Sequence, residues 1–120
     1  MEHRMKLKNK PFELIKSGKK KQELRLYDEK RKLIEVGDTI IFTNIETQEE
    51  LKVEVMYLHL YANFKDLYND FDKQELGYEK DEECSYKDME EYYSKEEQEK
   101  YGVLGIEIKV VSYVKKENIG

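Results

Sequence analysis

Leu104, Ile106, Ile108 and Val110 alternate with Gly105, Glu107 and Lys109, so the end of the chain carries the two-residue period of a β-strand. The same period recurs far upstream. Leu51, Val53 and Val55 alternate with Lys52 and Glu54, and Leu24 and Leu26 alternate with Glu23, Arg25 and Tyr27. Strands this far apart in a chain of 120 residues have to meet in one small sheet. Gly37-Asp38 is a turn signal ahead of Thr39-Ile40-Ile41-Phe42, a β-branched strand, and residues 46–50 form a polar hairpin connection to the next strand. Residues 3–8 are short and basic and read as a further strand.

Helical signals fall between the strands. Pro11 suits a first helical turn, where its missing N–H would be unpaired anyway. Phe12 and Ile15 then share a face, and Gly18 can take the left-handed conformation that ends a helix, which places a helix over 11–17. Phe64, Leu67, Tyr68 and Phe71 also follow helical spacing. Residues 72–84 are acidic and without a clear period. Ser85 with Asp88, and Ser94 with Glu97, have the spacing of capping boxes and predict short helices near 86–92 and 95–100. The expected order is β-α-β-β-β, a helical acidic insertion over about 64–100, then β. That order predicts a single α+β domain over 1–120, a small mixed β-barrel of five to six strands, closed or nearly so, with short helices outside. Leu24, Leu26, Ile41, Val53, Ile106 and Ile108 are its expected core.

The charged fraction, 41%, is high enough for disorder, but ten Tyr and four Phe in periodic blocks argue for a packed chain. The net charge of −5 argues against bulk nucleic-acid binding. The charge is nevertheless polarised: residues 1–32 hold 12 Lys/Arg against 5 Asp/Glu, and residues 33–120 hold 10 against 22. The basic N-terminal part is either a site for an anionic ligand or a solvated Lys-rich surface. No apolar run approaches the roughly 18 residues that span a bilayer. A single cysteine, Cys84, cannot form an internal disulfide, so a reduced cytoplasmic setting is the expectation.

Glu23 and Arg25 project from one strand face, either as an ion pair or as groups presented to a ligand. His59 lies in an apolar stretch without a second well-placed His, and with one Cys no zinc-type site can be assembled. Tyr92, Tyr93 and Tyr101 can stack on a base or pack on helix faces. No phosphate-binding loop, dinucleotide fingerprint or nucleophile elbow is present, and no cofactor is implied.

The run Phe12-Glu13-Leu14-Ile15-Lys16-Ser17-Gly18-Lys19-Lys20-Lys21-Gln22-Glu23-Leu24-Arg25-Leu26 resembles the signature of the ASCH family. There, a short helix ends in Gly, a Lys follows, and a strand carries Glu and Arg two apart. Val36-Gly37-Asp38 into Ile40-Ile41-Phe42 continues the pattern, and Tyr101-Gly102-Val103-Leu104-Gly105-Ile106-Glu107 is similar to the family's closing strand. The resemblance implies a barrel related to the PUA-type RNA-binding barrels, with a cleft beside the Lys/Glu/Arg strand. It implies RNA, a nucleotide or a modified nucleoside as partner. It also implies, for some small bacterial members, a metal-independent amidohydrolase activity on acetylcytidine, and for others a link to ribonuclease activity. In the deacetylating members the signature Lys works with a Thr three residues later and a Glu in the insertion. Lys20 matches the Lys, Glu23 stands at the Thr position, and Glu75 is the best match for the distal acid. On this resemblance Lys20, Glu23 and Glu75 are the candidate catalytic residues. Arg25, Lys19, Lys21 and Tyr27 are the candidates for substrate binding. An interaction module using the acidic insertion is a third expectation.

Overall fold

The computed structural model describes residues 1–115. Strand β1 (Glu2–Leu7) leads into helix α1 (Asn9–Lys16) and strand β2 (Gln22–Leu26). Strands β3 (Thr39–Asn44) and β4 (Glu50–Tyr61) follow, then helices α2 (Phe64–Tyr68) and α3 (Lys95–Tyr101) and strand β5 (Val103–Val114). Residues 31–33 and 86–91 form 3-10 turns. The α+β class and the five strands agree with the sequence pattern.

All five strands lie in one sheet of order β1-β3-β4-β5-β2. β1 runs parallel to β3, and the other neighbours are antiparallel. The sheet curls but does not close: β1 and β2 are both edges, with no ladder between them. The expected barrel, closed or nearly so, is thus present as a five-stranded sheet that is not closed into a full barrel, with a seam where its first two strands face each other.

Register decides what each face buries. Glu23 lies opposite Ile106 and Arg25 opposite Leu104, while Leu24 lies opposite Gly105 and Leu26 opposite Val103. Cross-strand partners share a face. Glu23 and Arg25 thus belong to the concave face, whose core holds Phe12, Ile40, Phe42, Leu51, Leu104 and Ile106. Leu24 and Leu26 belong to the opposite face, where Phe64, Leu67, Leu76 and Val103 complete a second core. Both faces of β2 are covered, so the leucines do not mark the only inside, and Glu23 is as buried as they are.

Ile41 is a further correction. It is only half-buried, whereas Ile40 and Phe42 are fully buried. Ile41 pairs with Arg4 and Lys52 on the outer face, and Ile40 and Phe42 pair with Val53 and Leu51. With three apolar residues in a row the period fixes a strand but not its phase. Of the two expected capping boxes, Ser94 and Glu97 form one at the start of α3. Ser85 instead accepts from the Lys87 N–H and starts a 3-10 turn. Among the described residues no helix is long and apolar enough to cross a membrane.

Candidate functional site

The seam is also where the signature residues meet. The Ile108 N–H donates to the Lys21 carbonyl at 3.0 Å and the Tyr27 N–H to the Gly102 carbonyl at 3.0 Å. By alternation, the backbone of Glu23 and Arg25 faces β5, and that of Gln22, Leu24 and Leu26 faces the open edge. On β1, the Leu7 carbonyl accepts from the Ile45 N–H of the β3 side at 2.9 Å, so the Lys6 backbone faces the seam. The Arg25 guanidinium spans the gap: its Nη2 donates to the Lys6 carbonyl at 3.1 Å. One side chain thus ties together two edges that share no ladder.

Glu23 sits between two cations. Its Oε1 is 3.1 Å from Lys20 Nζ. Its Oε2 accepts from Arg25 Nη2 at 2.8 Å and from Arg25 Nε at 3.0 Å. The Glu23 side chain is 5% exposed and that of Lys20 is 11% exposed, so the triad lies largely out of water. Burial pulls the Glu23 carboxyl up, but Lys20 and then Arg25 outweigh it and hold the group below the ordinary carboxylate range. Burial likewise opposes the charge on Arg25, and Glu23 more than restores it. The triad therefore carries one net positive charge.

Local structure explains how Lys20 reaches that position. Gly18, at φ +84°, ends α1, and the Lys20 N–H returns to the Leu14 carbonyl at 3.0 Å. The Glu75 carbonyl accepts from the Lys21 and Gln22 N–H groups at 2.9 and 3.0 Å, which clamps the insertion onto the entry to β2. Two residues on, Gly77 has φ +103°, and a Cβ there would lie 2.9 Å from Lys20 Cδ. The bare backbone of Gly77 is the surface along which the Lys20 stem runs.

Lys20, Glu23 and Arg25 line one cleft of about 410 Å³ between α1 and the insertion. The insertion wall brings Tyr68, Tyr78 and Tyr93 to it. Tyr68 and Tyr78 join hydroxyls at 2.9 Å, and Tyr78 donates to Asp88 Oδ2 at 2.7 Å. Burial pushes Tyr68 up to about 12 and Tyr78 well above the ordinary phenol value, so both are neutral hydroxyls. Tyr93 stacks on Phe64 with ring centroids 5.8 Å apart. Lys10 and Glu82 pair at 3.0 Å across the mouth, from α1 to the insertion.

The other candidates lie apart. Lys19, Lys21 and Glu75 line a neighbouring hollow of about 700 Å³ together with Asp72, Glu79 and Asp81. Glu75 approaches β2 through its backbone carbonyl, and its side chain is not among those lining the Lys20 cleft. Tyr27 follows β2 by one residue and packs against the concave core, with Lys32 Nζ 5.8 Å from its ring centre. His59 pairs with Glu107 at 3.0 Å between Tyr57 and Phe71, away from the cleft. Among the described residues no group of three or more His, Cys, Asp or Glu is placed to hold a metal ion.

The ASCH domain model matches residues 5–112, which take in the whole sheet apart from three N-terminal and two C-terminal strand residues. The chain belongs to the ASCH domain family. Its fold is shared with the crystal structure of the hypothetical protein PH0355, at 37% identity and a TM-score of 0.75, over 92% of this chain and 100% of that one. It is shared too with the solution NMR structure of protein PF0455 from Pyrococcus furiosus, at 37% identity and a TM-score of 0.69, over 94% and 100% of the two chains. No curated protein matches the sequence. Three groups of this ASCH cleft were missed in sequence: Gly77, Tyr68 and Tyr78. A lone Gly inside the acidic segment gives no periodic signal, and the helical spacing that includes Tyr68 does not extend to Tyr78; only the folded insertion brings them to Lys20.

Proposed function

We propose that the cleft binds the base of a nucleotide or modified nucleoside and acts as a recognition module. The observation that carries this reading is the buried Lys20–Glu23–Arg25 triad beside an unpaired strand edge. Glu23 occupies Nε and Nη2 of Arg25, which leaves Nη1 without a hydrogen bond among the described residues. Lys20 spends one of its three N–H groups on Glu23. These donors suit the carbonyl and ring-nitrogen acceptors of a base. The outward N–H and C=O of Leu24 add one donor and one acceptor, the pattern of a base edge. Neutral tyrosines line the opposite wall and suit its flat faces.

Deacylation of an acylated nucleoside such as acetylcytidine is the rival reading within the family. It asks Lys20 to act as a free amine, whereas the ion pair with Glu23 uses it as an ammonium. Loss of that proton would leave a buried carboxylate with one cation fewer. The distal acid, Glu75, also lies outside the cleft. The test titrates the protein with cytidine, acetylcytidine and cytidine monophosphate by NMR and follows acetylcytidine by chromatography. Saturable shifts at Gly77 and Tyr78 without deacylation are expected. Release of acetate that disappears in Lys20→Ala would replace this reading with the hydrolase.

A further inference from the structure

Strand β4 outruns its neighbour β3. The β3–β4 ladder ends at Thr39 and Glu54. The last links on that side join Val55 to Gly37 and Asp38, each at 2.8 Å. Residues 57–61 continue beyond them, paired to β5 alone. Leu104 and Ile106 turn their backbone to β2, so Val103, Gly105 and Glu107 turn theirs to Tyr61, His59 and Tyr57. The N–H and C=O groups of Leu58 and Leu60 therefore point away from the sheet, with no backbone partner among the described residues. Natural edges are guarded by Lys, Pro or an inward-pointing charge. This one is bare. Residues 55–64 are the longest stretch of the chain without Asp, Glu, Lys or Arg, in a sequence that is 41% charged. Met56 is 40% exposed, and Tyr57 and Leu60 are each 56% exposed. Exposed Val36, beside the Gly37 link to Val55, extends the apolar strip.

The strip is complementary to itself. Tyr57-Leu58-His59-Leu60-Tyr61 reads the same in both directions. An antiparallel pair across a two-fold axis at His59 sets Leu58 of one copy against Leu60 of the other, and each Tyr against a Tyr. The outward backbone groups, at 58 and 60, are symmetric about His59 as well. All four find partners on the other copy, and the cross-strand leucines share the concave face. The strip brings no like charges together, although each chain carries a net charge of −5. We infer that two copies of this chain pair β4 to β4 through residues 57–61, forming a closed two-fold dimer with one continuous sheet. Residues 57–61 with Val36 and Met56 offer on the order of 500 Å² a side, or about 1,000 Å² in total, which is the lower bound of a specific interface. The dimer is accordingly weak and reversible. None of these residues lines the Lys20 cleft, so the inference does not depend on what that cleft binds.

The test is sedimentation equilibrium of the full chain up to about 1 mM, joined to amide hydrogen exchange by NMR over the same concentrations. A monomer–dimer equilibrium with a Kd below about 1 mM is expected. The Leu58 and Leu60 amides should gain protection as concentration rises. The His59 and Tyr61 amides, which face β5, should be protected at every concentration. Leu60→Pro removes one outward N–H, and Leu60→Lys adds a guard charge at an exposed position. Each variant should fold, as a thermal melt checks, and should stay monomeric over the whole range. A native chain that is monomeric at about 1 mM overturns the inference and leaves the edge to another partner. A dimer whose Leu58 and Leu60 amides stay unprotected overturns it too, because the interface then lies elsewhere. So does a dimer that survives in a folded Leu60→Lys variant, and so does an assembly larger than two, which a closed two-fold pair does not allow.

Discussion

Replacing Arg25 with Ala should destabilise the protein far more than its place on an edge strand suggests. The substitution removes two hydrogen bonds to a carboxylate that is 5% exposed, and the single link from β2 to the Lys6 carbonyl. Breaking a buried ion pair by removing one partner costs about 3–5 kcal/mol when the remaining charge is left alone. Here Glu23 keeps Lys20 at 3.1 Å and gains water through the cleft, which sets the expectation near 2–3 kcal/mol. At about 4 °C per kcal/mol for a domain of this size, the melting temperature should fall by about 8–12 °C. Urea denaturation at pH 7 measures the loss directly. The pH dependence gives a second reading. In the native protein the Glu23 pKa is depressed, so its stabilisation is present above the unfolded carboxylate value of about 4.3 and is lost as pH falls through the folded value. Without Arg25 the depression shrinks or reverses, so the gap between variant and native protein should narrow as pH drops below about 4. Adding Glu23→Gln to Arg25→Ala should cost further stability, because Lys20, whose side chain is 11% exposed, then loses the carboxylate it pairs with. A loss below about 0.5 kcal/mol for Arg25→Ala, or a double variant as stable as Arg25→Ala, would show that the triad is solvated and the buried-site reasoning wrong.

Gly77→Ala should cost about 1–2 kcal/mol in urea denaturation and weaken nucleoside binding, because it forces a side chain into φ +103° and against the Lys20 stem. Ser94→Ala should cost about 1 kcal/mol by removing the capping box of α3, with nucleoside affinity unchanged in the same titration. Asp38→Asn tests the opposite end of the sheet. A hydrogen bond from His3 and one from the Glu35 N–H hold the Asp38 carboxyl at about 2, so its stabilisation is present above pH 4 and lost as pH falls through 2. The difference in melting temperature between native protein and Asp38→Asn should be level above pH 5 and vanish near pH 2.

What could be read from the sequence depended on how local the signal was. The strand of residues 103–114, the helix ending at Gly18 and the capping box at Ser94 are each specified within a few residues, and each is present. Ile41 shows the limit: Ile40-Ile41-Phe42 is apolar throughout, and only pairing with Arg4 and Lys52 reveals that Ile41 faces out. Leu24 and Leu26 are buried as expected, but theirs is not the only buried face of the strand. Their alternation with Glu23 and Arg25 looks like one buried and one wet face, but the insertion covers the leucines while α1 and β1 cover the charges. Alternation reports polarity, and polarity matches exposure only when polar groups lack partners inside. Gly77 and Tyr78 reach Lys20 only through the path of residues 69–94, which no period encodes.

The position of the cleft follows from the failure of the barrel to close. An open sheet leaves two edges, and an edge carries backbone donors and acceptors that must find partners or water. Natural sheets guard such edges with charge, and this chain does so on β1 with Arg4 and Lys6. On β2 it goes further and places Glu23 and Arg25 on the concave side, where apolar residues would have completed the core. That choice is costly in stability unless the charges pair, and they do pair, at the seam. A chain selected only for stability would gain by replacing the triad with apolar residues of similar volume. Keeping a buried net positive charge next to an unpaired strand edge makes sense if a ligand completes both, by accepting from the spare N–H groups of Lys20 and Arg25 and by pairing with the outward backbone of Leu24. On this logic Lys20→Met, Glu23→Leu and Arg25→Met together should yield a folded protein about as stable as the native one, measured by urea denaturation, that no longer binds a nucleoside. A triple variant that binds as before would place the ligand elsewhere, and one that fails to fold would make the triad a structural bolt across the seam.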